Sequence, residues 1–239
     1  MSPVIDLIGL GGAPAQEWPH GAVLALTDPD PAALAAGVRD HLAERRPDAV
    51  LFWDVALGAP PADVPAVLDQ PDDVWHAGLL LGAAGQPSSI DLVAPTWMLN
   101  ADPPADRPAS SWRLTLSACL VRTRVLTELG GVDPAFTTIT AAGLELGHRW
   151  VGGGALCRHE PALVADVGPI PPLPAPTPED QQRFVHRRFG GAWAGYVTLR
   201  SRHRVTGLRR LRRILDEAGA PAGELPRPEP APIAEGHRL

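Results

Sequence analysis

The segment from Ser111 to Gly154 constrains the fold more than any other part of the chain. Residues 113–119 alternate toward the pattern of a β-strand, and residues 121–129 have the length and apolar spacing of a short helix. Gly130 and Gly131 follow directly, where helices commonly end in a left-handed glycine. Residues 144–150 begin another helix. The segment therefore predicts a strand followed by two helices.

The first half of the chain predicts a strand, an acidic turn and a helix. Residues 22–26 are apolar, and Asp28 follows them. Asp30 fits the N-cap and Pro31 the first position of a helix that we expect to run to about Arg46. Ligands of open α/β sheets bind at the carboxyl ends of strands. Capping explains Asp30 without any ligand, so Asp28 is the better binding candidate.

A further buried strand is predicted at residues 49–52, and Asp54 follows it. On local chemistry alone, a carboxylate at this place caps the turn that comes next.

The order of residues in 111–154 resembles the acceptor half of family 2 glycosyltransferases, which have the GT-A fold. The matching residues are Leu120-Val121-Arg122, Val125-Leu126, Leu129-Gly130-Gly131-Val132-Asp133, Phe136 and Glu145-Leu146-Gly147-His148-Arg149. The resemblance covers roughly residues 49–167. It implies an α/β protein, a three-layer α/β/α GT-A domain with a mixed, largely parallel sheet, and a nucleotide sugar as the donor substrate.

The sequence departs from the family pattern at three places. Ala142 and Gly143 stand where the family has a Glu-Asp pair that includes its general base. Asp54 is the first carboxylate of the family's D-x-D motif, which holds a divalent cation, but Ala56 replaces the second. Asp166 lies nearest to the place of a terminal metal-binding histidine. The resemblance thus implies at most weak binding of Mg²⁺ or Mn²⁺, through Asp54.

The resemblance also implies site residues. Glu145 and His148 are the catalytic candidates, and Asp28, Asp54 and Arg149 are the donor-binding candidates. Trp97 and Trp112 flank a proline-rich loop and could stack on a sugar acceptor, although most tryptophans are simply part of a core.

Composition narrows the remaining function classes. Cys119 and Cys157 lack the spacing of a zinc or redox site, so we expect two buried thiols. No stretch approaches the roughly 20 apolar residues of a spanning helix, and no signal peptide is evident, so we expect a cytoplasmic protein. Acidic and basic residues are unevenly distributed along the chain. Residues 1–168 hold 20 acidic and 9 basic side chains, whereas residues 183–213 hold 10 arginines and no acidic residue.

The changes in charge and in proline content along the chain predict four segments. They are a domain at 1–168, a proline-rich linker at 169–178, a basic helical extension at 179–218 and a disordered tail at 219–239. The arginines at 183–213 allow three interpretations: a solvated face of helices packed on the domain, a surface for anionic lipid that would place the protein peripherally at a membrane, or a nucleic-acid surface. Nucleic acid is the weakest, because the aromatic residues do not interleave as a stacking platform.

Two hypotheses for function follow. The first is a glycosyltransferase that moves a sugar from a nucleotide sugar to an acceptor. The second is a catalytically silent GT-A homologue that binds a ligand or a protein partner, motivated by the three departures together.

Overall fold

The computed structural model describes residues 2–28, 30–78, 88–93, 103–168, 173–201, 204–217, 219 and 223–225. Within them, seven strands form one mixed sheet: β1 (Ile5–Leu10), β2 (Val23–Leu26), β3 (Ala49–Asp54), β4 (Val74–His76), β5 (Ala109–Ser110), β6 (Ala118–Arg122) and β7 (Cys157–His159). The strand order is β2-β1-β3-β6-β4-β7-β5. The described residues therefore form a mixed α/β fold.

The helices of the described residues are α1 (Pro31–Glu44), α2 (Val64–Val67), α3 (Ser89–Val93), α4 (Thr123–Glu128), α5 (Ile139–Gly152), α6 (Pro178–Phe189), α7 (Gly191–Arg200) and α8 (Arg204–Leu215). Short 3₁₀ helices lie at Val55–Leu57 and Pro161–Val164. No helix in the described part of the chain is long and apolar enough to cross a membrane.

Most strands of the sheet run in one direction. Strand β1 pairs in parallel with β2 and β3, and β4 pairs in parallel with β7. Strand β6 lies antiparallel between β3 and β4, and β5 is antiparallel to β7. The five co-directional strands therefore end at the same edge of the sheet, and β6 begins there.

The two faces of the sheet are covered differently. One face packs against α1, α4, α5 and α6 through side chains such as Leu34, Leu126, Trp150 and Phe184. The other face is covered by shorter elements, with Trp18, Val64 and Leu163 over the strands. All six residues of β1 are buried, as expected for a central strand with both faces covered.

The helices that follow the proline-rich segment share the core of the sheet. Val185 of α6 and Val197 of α7 belong to the same apolar cluster as Leu114 and Leu144. In the predicted tail, Leu225 is buried and its N–H donates to the carbonyl oxygen of Gly153. The predicted extension therefore packs on the sheet, as the first of the three interpretations requires.

Several sequence predictions are confirmed, and others are wrong. The α/β unit at the start of the chain is present, with the Asp30 carboxylate capping α1 and Pro31 in its first turn. Residues 113–117 are not a strand, because they cross over α5 before β6 begins. The predicted helical extension at 179–218 consists of α6, α7 and α8.

Helix α5 approaches the segment before β6 closely because it presents glycines there. A Cβ added at Gly143 would lie 2.9 Å from the carbonyl oxygen of Leu114. A Cβ at Gly147 would overlap the carbonyl oxygen of Trp112 outright. Glycine at 147 is therefore a packing requirement, which costs helix propensity but allows backbone to meet backbone.

We expect Gly147→Ala to lower the free energy of unfolding by about 1–3 kcal/mol, since overpacking outweighs the gain in helix propensity. Gly195 in α7 is the matched control, because a Cβ there meets open space. Gly195→Ala should raise the free energy of unfolding by about 0.5–1 kcal/mol. Urea unfolding of both variants measures the difference, and equal effects of the two would contradict this account of α5.

Candidate functional site

The carboxyl edge of the sheet carries a cavity whose lining includes one carboxylate and several hydroxyl groups. Strand β1 runs into the turn at Gly11 and Gly12, both with positive φ. The N–H of Gly11 donates to the carbonyl oxygen of Leu26 at the end of β2. Strand β3 ends nearby in Asp54, since β1 and β3 pair through Leu10 and Asp54. Open α/β sheets bind ligands at such an edge.

A cavity of about 410 Å³ opens at this edge, within the usual size of a small-molecule site. Its lining combines strand ends, the segment before β6, the first turn of α5 and the proline-rich segment. The lining residues are Leu10, Gly11, Asp54, Thr115, Ser117, Thr138, Ile139, Thr140, Leu173 and Pro174. Asp54 is the one charged side chain among them, and hydroxyl groups supply the other polar side-chain atoms.

Asp54 has two roles that the sequence left open. Its Oδ1 accepts a hydrogen bond of 3.0 Å from the N–H of Ala56, so it caps the 3₁₀ turn that follows β3. The residue is also half-buried in the cavity wall. Capping and ligand binding are therefore compatible, because a carboxylate accepts through two oxygens.

The first turn of α5 faces the cavity and is held there by α6. Thr138 is the N-cap of α5, and its hydroxyl accepts from the N–H of Ala141. The fully buried Asp180 of α6 accepts from the hydroxyls of Thr137 and Thr138, each at 2.8 Å. The N-terminal end of the 14-residue helix α5, which is the positive end of its dipole, thus lies in the cavity wall, and the carboxylate of Asp180 offsets part of that positive charge.

Of the other predicted binding residues, Asp28 lies away from this cavity. Asp28 is exposed at the carboxyl end of β2, on the same edge of the sheet but not in the cavity wall. Trp97 lies outside the described residues, so its predicted acceptor contact stays a prediction.

The structure places Glu145 and Arg149 in a buried ion pair. Nε of Arg149 lies 2.9 Å from Oε1 of Glu145, and Arg188 of α6 lies 3.1 Å from the same oxygen. Arg149 also donates to the carbonyl oxygens of Leu129, Gly130 and Gly131. Both side chains are about 2–3% exposed, and neither lines the cavity. Their observed contacts hold α5 against the turn after α4.

His148 and Trp112 belong to an aromatic cluster between α5 and α6. The ring of His148 meets Trp112, Phe184 and Phe189 edge-on at 5.1–5.7 Å, and Trp112 stacks on Phe184. Burial, with a smaller contribution from Arg188, lowers the pKa of His148 to about 4. A histidine in such a place is neutral at pH 7 and packs as an aromatic ring. Neither residue lines the cavity.

Two further histidines lie at the same edge of the sheet. His76 ends β4 and His159 ends β7, and the pairing of these strands sets them side by side with ring centroids 5.7 Å apart. Both are buried. Burial, followed by the neighbouring His159, lowers the pKa of His76 to about 3, and burial also lowers the pKa of His159. The sequence signal was a histidine at each of two strand ends, which only the strand order brings together.

The side chains of this edge do not form a ready metal site. Across the part of the chain that the structure describes, no group of three or more His, Cys, Asp or Glu residues is arranged to hold a metal ion. Cys119 and Cys157 are both buried free thiols, and burial raises the pKa of each. Asp54 could hold Mg²⁺ or Mn²⁺ only together with water and the phosphates of a ligand, as Mg²⁺ sites often do.

A larger cavity of about 630 Å³ lies between α1, α4 and residues 131–135. Its walls are mainly aliphatic. Asp133, an acidic residue of this wall, is already bound to Arg187 at 3.1 Å. This cavity lies away from the carboxyl edge, where open α/β sheets bind their ligands, so the smaller cavity is the better candidate site.

Neither models of known protein families nor curated protein sequences give a match to this chain. The candidate site is therefore interpreted from its own residues.

Proposed function

We propose that the chain is a GT-A-type glycosyltransferase that binds the diphosphate of a nucleotide sugar in the cavity beside Asp54. The observation that carries this proposal is the meeting of Asp54, at the end of β3, with the first turn of α5 in one polar cavity. In the family that residues 111–154 resemble, the first carboxylate of the D-x-D motif has the place of Asp54. The mixed sheet, with five strands in one direction, also supports the assignment.

The chemistry of transfer fits the arrangement of charges. An acceptor hydroxyl attacks the anomeric carbon of the donor, its oxygen forms the new bond, and the bond from that carbon to the diphosphate breaks. The hydroxyl proton passes to water, because Asp54 is the one carboxylate in the cavity lining and would hold the cation. Negative charge then grows on the diphosphate. The N-terminus of α5 would stabilise that charge, and the hydroxyls of Ser117 and Thr140 lie in the same wall to orient the group. A divalent cation held by Asp54 and the phosphates would neutralise further charge.

A second candidate, a silent homologue that binds a nucleotide sugar without transferring it, is favoured by one specific observation. Glu145 and His148, the two predicted catalytic residues, are engaged in the ion pair and the aromatic cluster and do not line the cavity. A general base contributes about a hundredfold to ten-thousandfold in rate, so its absence would leave binding without useful turnover.

Titration calorimetry with UDP, GDP and dTDP sugars, with and without Mn²⁺, tests the binding that both candidates share. We expect one nucleotide sugar to bind and Mn²⁺ to strengthen it. Asp54→Asn should remove the Mn²⁺-dependent gain and weaken binding by about tenfold, because bonds to charged groups contribute about 1.5–3 kcal/mol. The matched control is Asp63→Asn, an exposed carboxylate outside the cavity.

The outcomes separate the candidates. Multiple-turnover transfer or hydrolysis of the donor by the purified protein establishes the transferase and excludes the silent homologue. Binding without turnover establishes the silent homologue. If no nucleotide sugar binds at millimolar concentration, or if Asp54→Asn binds as the original chain does, the assignment of the cavity is wrong.

A further inference from the structure

The outer surface of α7 and α8 exposes large apolar side chains beside arginines. On α7, Trp193 is 49% exposed, Tyr196 44% and Leu199 56%. Their spacing of three residues puts them on one face, while Ala194, Val197 and Thr198 on the opposite face are buried. On α8, Leu208 and Leu215 are 49% and 46% exposed. We call these five apolar residues, together with the exposed Arg209 and Arg212 of α8, the α7–α8 face.

The two helices pack side by side, so their exposed residues form one surface. A Cβ added at Gly191 would lie 3.2 Å from the side chain of Leu215, and one at Gly207 would lie 3.0 Å from Thr198. The start of α7 therefore lies beside the end of α8. Leu215 consequently lies near the turn of α7 that carries Trp193. Contiguous exposed apolar surface of this kind marks an interaction site.

The charge of the α7–α8 face is of one sign. Residues 191–215 contain seven arginines and no acidic residue. Arg209 and Arg212 are exposed on α8, and neither has an ion pair with another described residue. By contrast, Arg183 and Arg187 of α6 are buried and paired with acidic side chains, so they add nothing to the surface. The free positive charge therefore coincides with the exposed apolar residues.

We propose that the α7–α8 face docks on an anionic lipid bilayer. Apolar and aromatic side chains next to arginines are what an interfacial helix needs, because the former enter the acyl boundary and the latter meet the lipid phosphates. Residues 1–168 carry 20 acidic against 9 basic side chains, so an anionic surface attracts this face and repels the rest of the molecule. The orientation on the bilayer follows from that asymmetry.

Other occupants fit the surface less well. A second copy related by two-fold symmetry would bring arginine against arginine, without an acid in either segment to pair them. Nucleic acid would use the arginines but leave Leu199, Leu208 and Leu215 unused. The rings of Trp193 and Tyr196 also pack edge-to-face against each other at 87°, which is not a parallel platform for bases.

Co-sedimentation of the full chain with vesicles tests the proposal, independently of any nucleotide sugar. We expect binding to phosphatidylcholine vesicles that contain about one-third phosphatidylglycerol, little binding to phosphatidylcholine alone, and weakening by salt. The double variant Arg209→Gln/Arg212→Gln should bind the anionic vesicles at least about tenfold more weakly. Arg39→Gln, an exposed arginine of α1, is the matched control and should bind unchanged.

The depth to which Trp193 enters the bilayer can be measured separately by fluorescence quenching. Brominated acyl chains in the anionic vesicles should quench part of the tryptophan emission, and Trp193→Phe should abolish that quenching. The proposal is overturned by equal binding to neutral vesicles, by an unaffected arginine double variant, or by tighter binding to an RNA oligonucleotide than to anionic vesicles. A dimer in solution that Trp193→Ala dissociates would overturn it in favour of contact between copies.

Discussion

Replacing Arg149 with methionine should lower the free energy of unfolding by about 3–5 kcal/mol. All five N–H donors of this guanidinium are in use, on the carboxylate of Glu145 and on the carbonyl oxygens of residues 129–131. The substitution leaves those carbonyls buried without their donor and leaves Glu145 with Arg188 as its remaining ionic partner. A buried charge or polar group that loses its partner costs far more than the pair contributes. Urea unfolding followed by circular dichroism measures the loss.

Two further variants show whether the loss comes from this network. Arg39→Met removes an arginine that is 72% exposed and should change the free energy of unfolding by less than about 0.5 kcal/mol. The double variant Glu145→Gln/Arg149→Met should lose less than the sum of its two single variants by about 1–3 kcal/mol. Strict additivity, or a loss below about 1 kcal/mol for Arg149→Met, would contradict the role assigned to the ion pair.

The same contacts explain why the predicted role of Arg149 could not be decided from the sequence. The motif placed Arg149 on a helix after the Gly130-Gly131 turn, and this placement is confirmed. Its bonds to that turn span 18–20 residues, and the second arginine on Glu145 comes from 43 residues away. Such pairs are set by how α5 and α6 pack, which no local pattern contains. Because every N–H group of the Arg149 guanidinium already donates to a protein oxygen, none is left to bind a phosphate of the nucleotide sugar.

Local signals predicted much of the sheet and its edge. The apolar runs and the Asp30-Pro31 signal predicted β2, β3 and α1, because buried strands and capped helices follow from short-range chemistry. The sequence also predicted the position of Asp54 at the end of a strand. The strand predicted at 113–119 begins only at Ala118, because an alternation of polar and apolar residues also suits a segment that crosses glycines 143 and 147 of α5. Backbone contact of that kind leaves no periodic signal.

The ion pairs of the arginines in residues 183–213 could not be predicted from the sequence either. Counting them as one basic surface was correct for α8 but not for α6, where Arg183 and Arg187 are buried on Asp133, Asp180 and Glu217. Composition gives the number of charges but not which charges pair. Arg183 pairs with Glu217, 34 residues away, and Arg187 pairs with Asp133, 54 residues away. The remaining exposed arginines are the ones that matter for the α7–α8 face.

Acidification should destabilise the fold strongly between about pH 6.5 and pH 4, because His76 and His148 are buried as neutral rings. The folded-state pKa of His76 is about 3 and that of His148 about 4, both below the unfolded value of about 6.5. Below pH 6.5 the unfolded chain therefore binds protons that the folded chain does not, so stability is complete above that pH and falls as pH falls. At about pH 5, His76 should cost about 2 kcal/mol and the less buried His148 about 1–2 kcal/mol.

Comparing His148→Phe with the original chain measures how much of the acid-induced loss in the free energy of unfolding comes from His148. Phenylalanine fits among Trp112, Phe184 and Phe189, and it takes up no proton. Urea unfolding at about pH 7.5 and about pH 5 should show the pH-dependent loss shrinking by about 1–2 kcal/mol in the variant. The carboxylates whose pKa is lowered, Asp6 and Glu217, contribute at lower pH and should act equally in both proteins. An unchanged loss in His148→Phe would mean that His148 is reached by protons in the folded state.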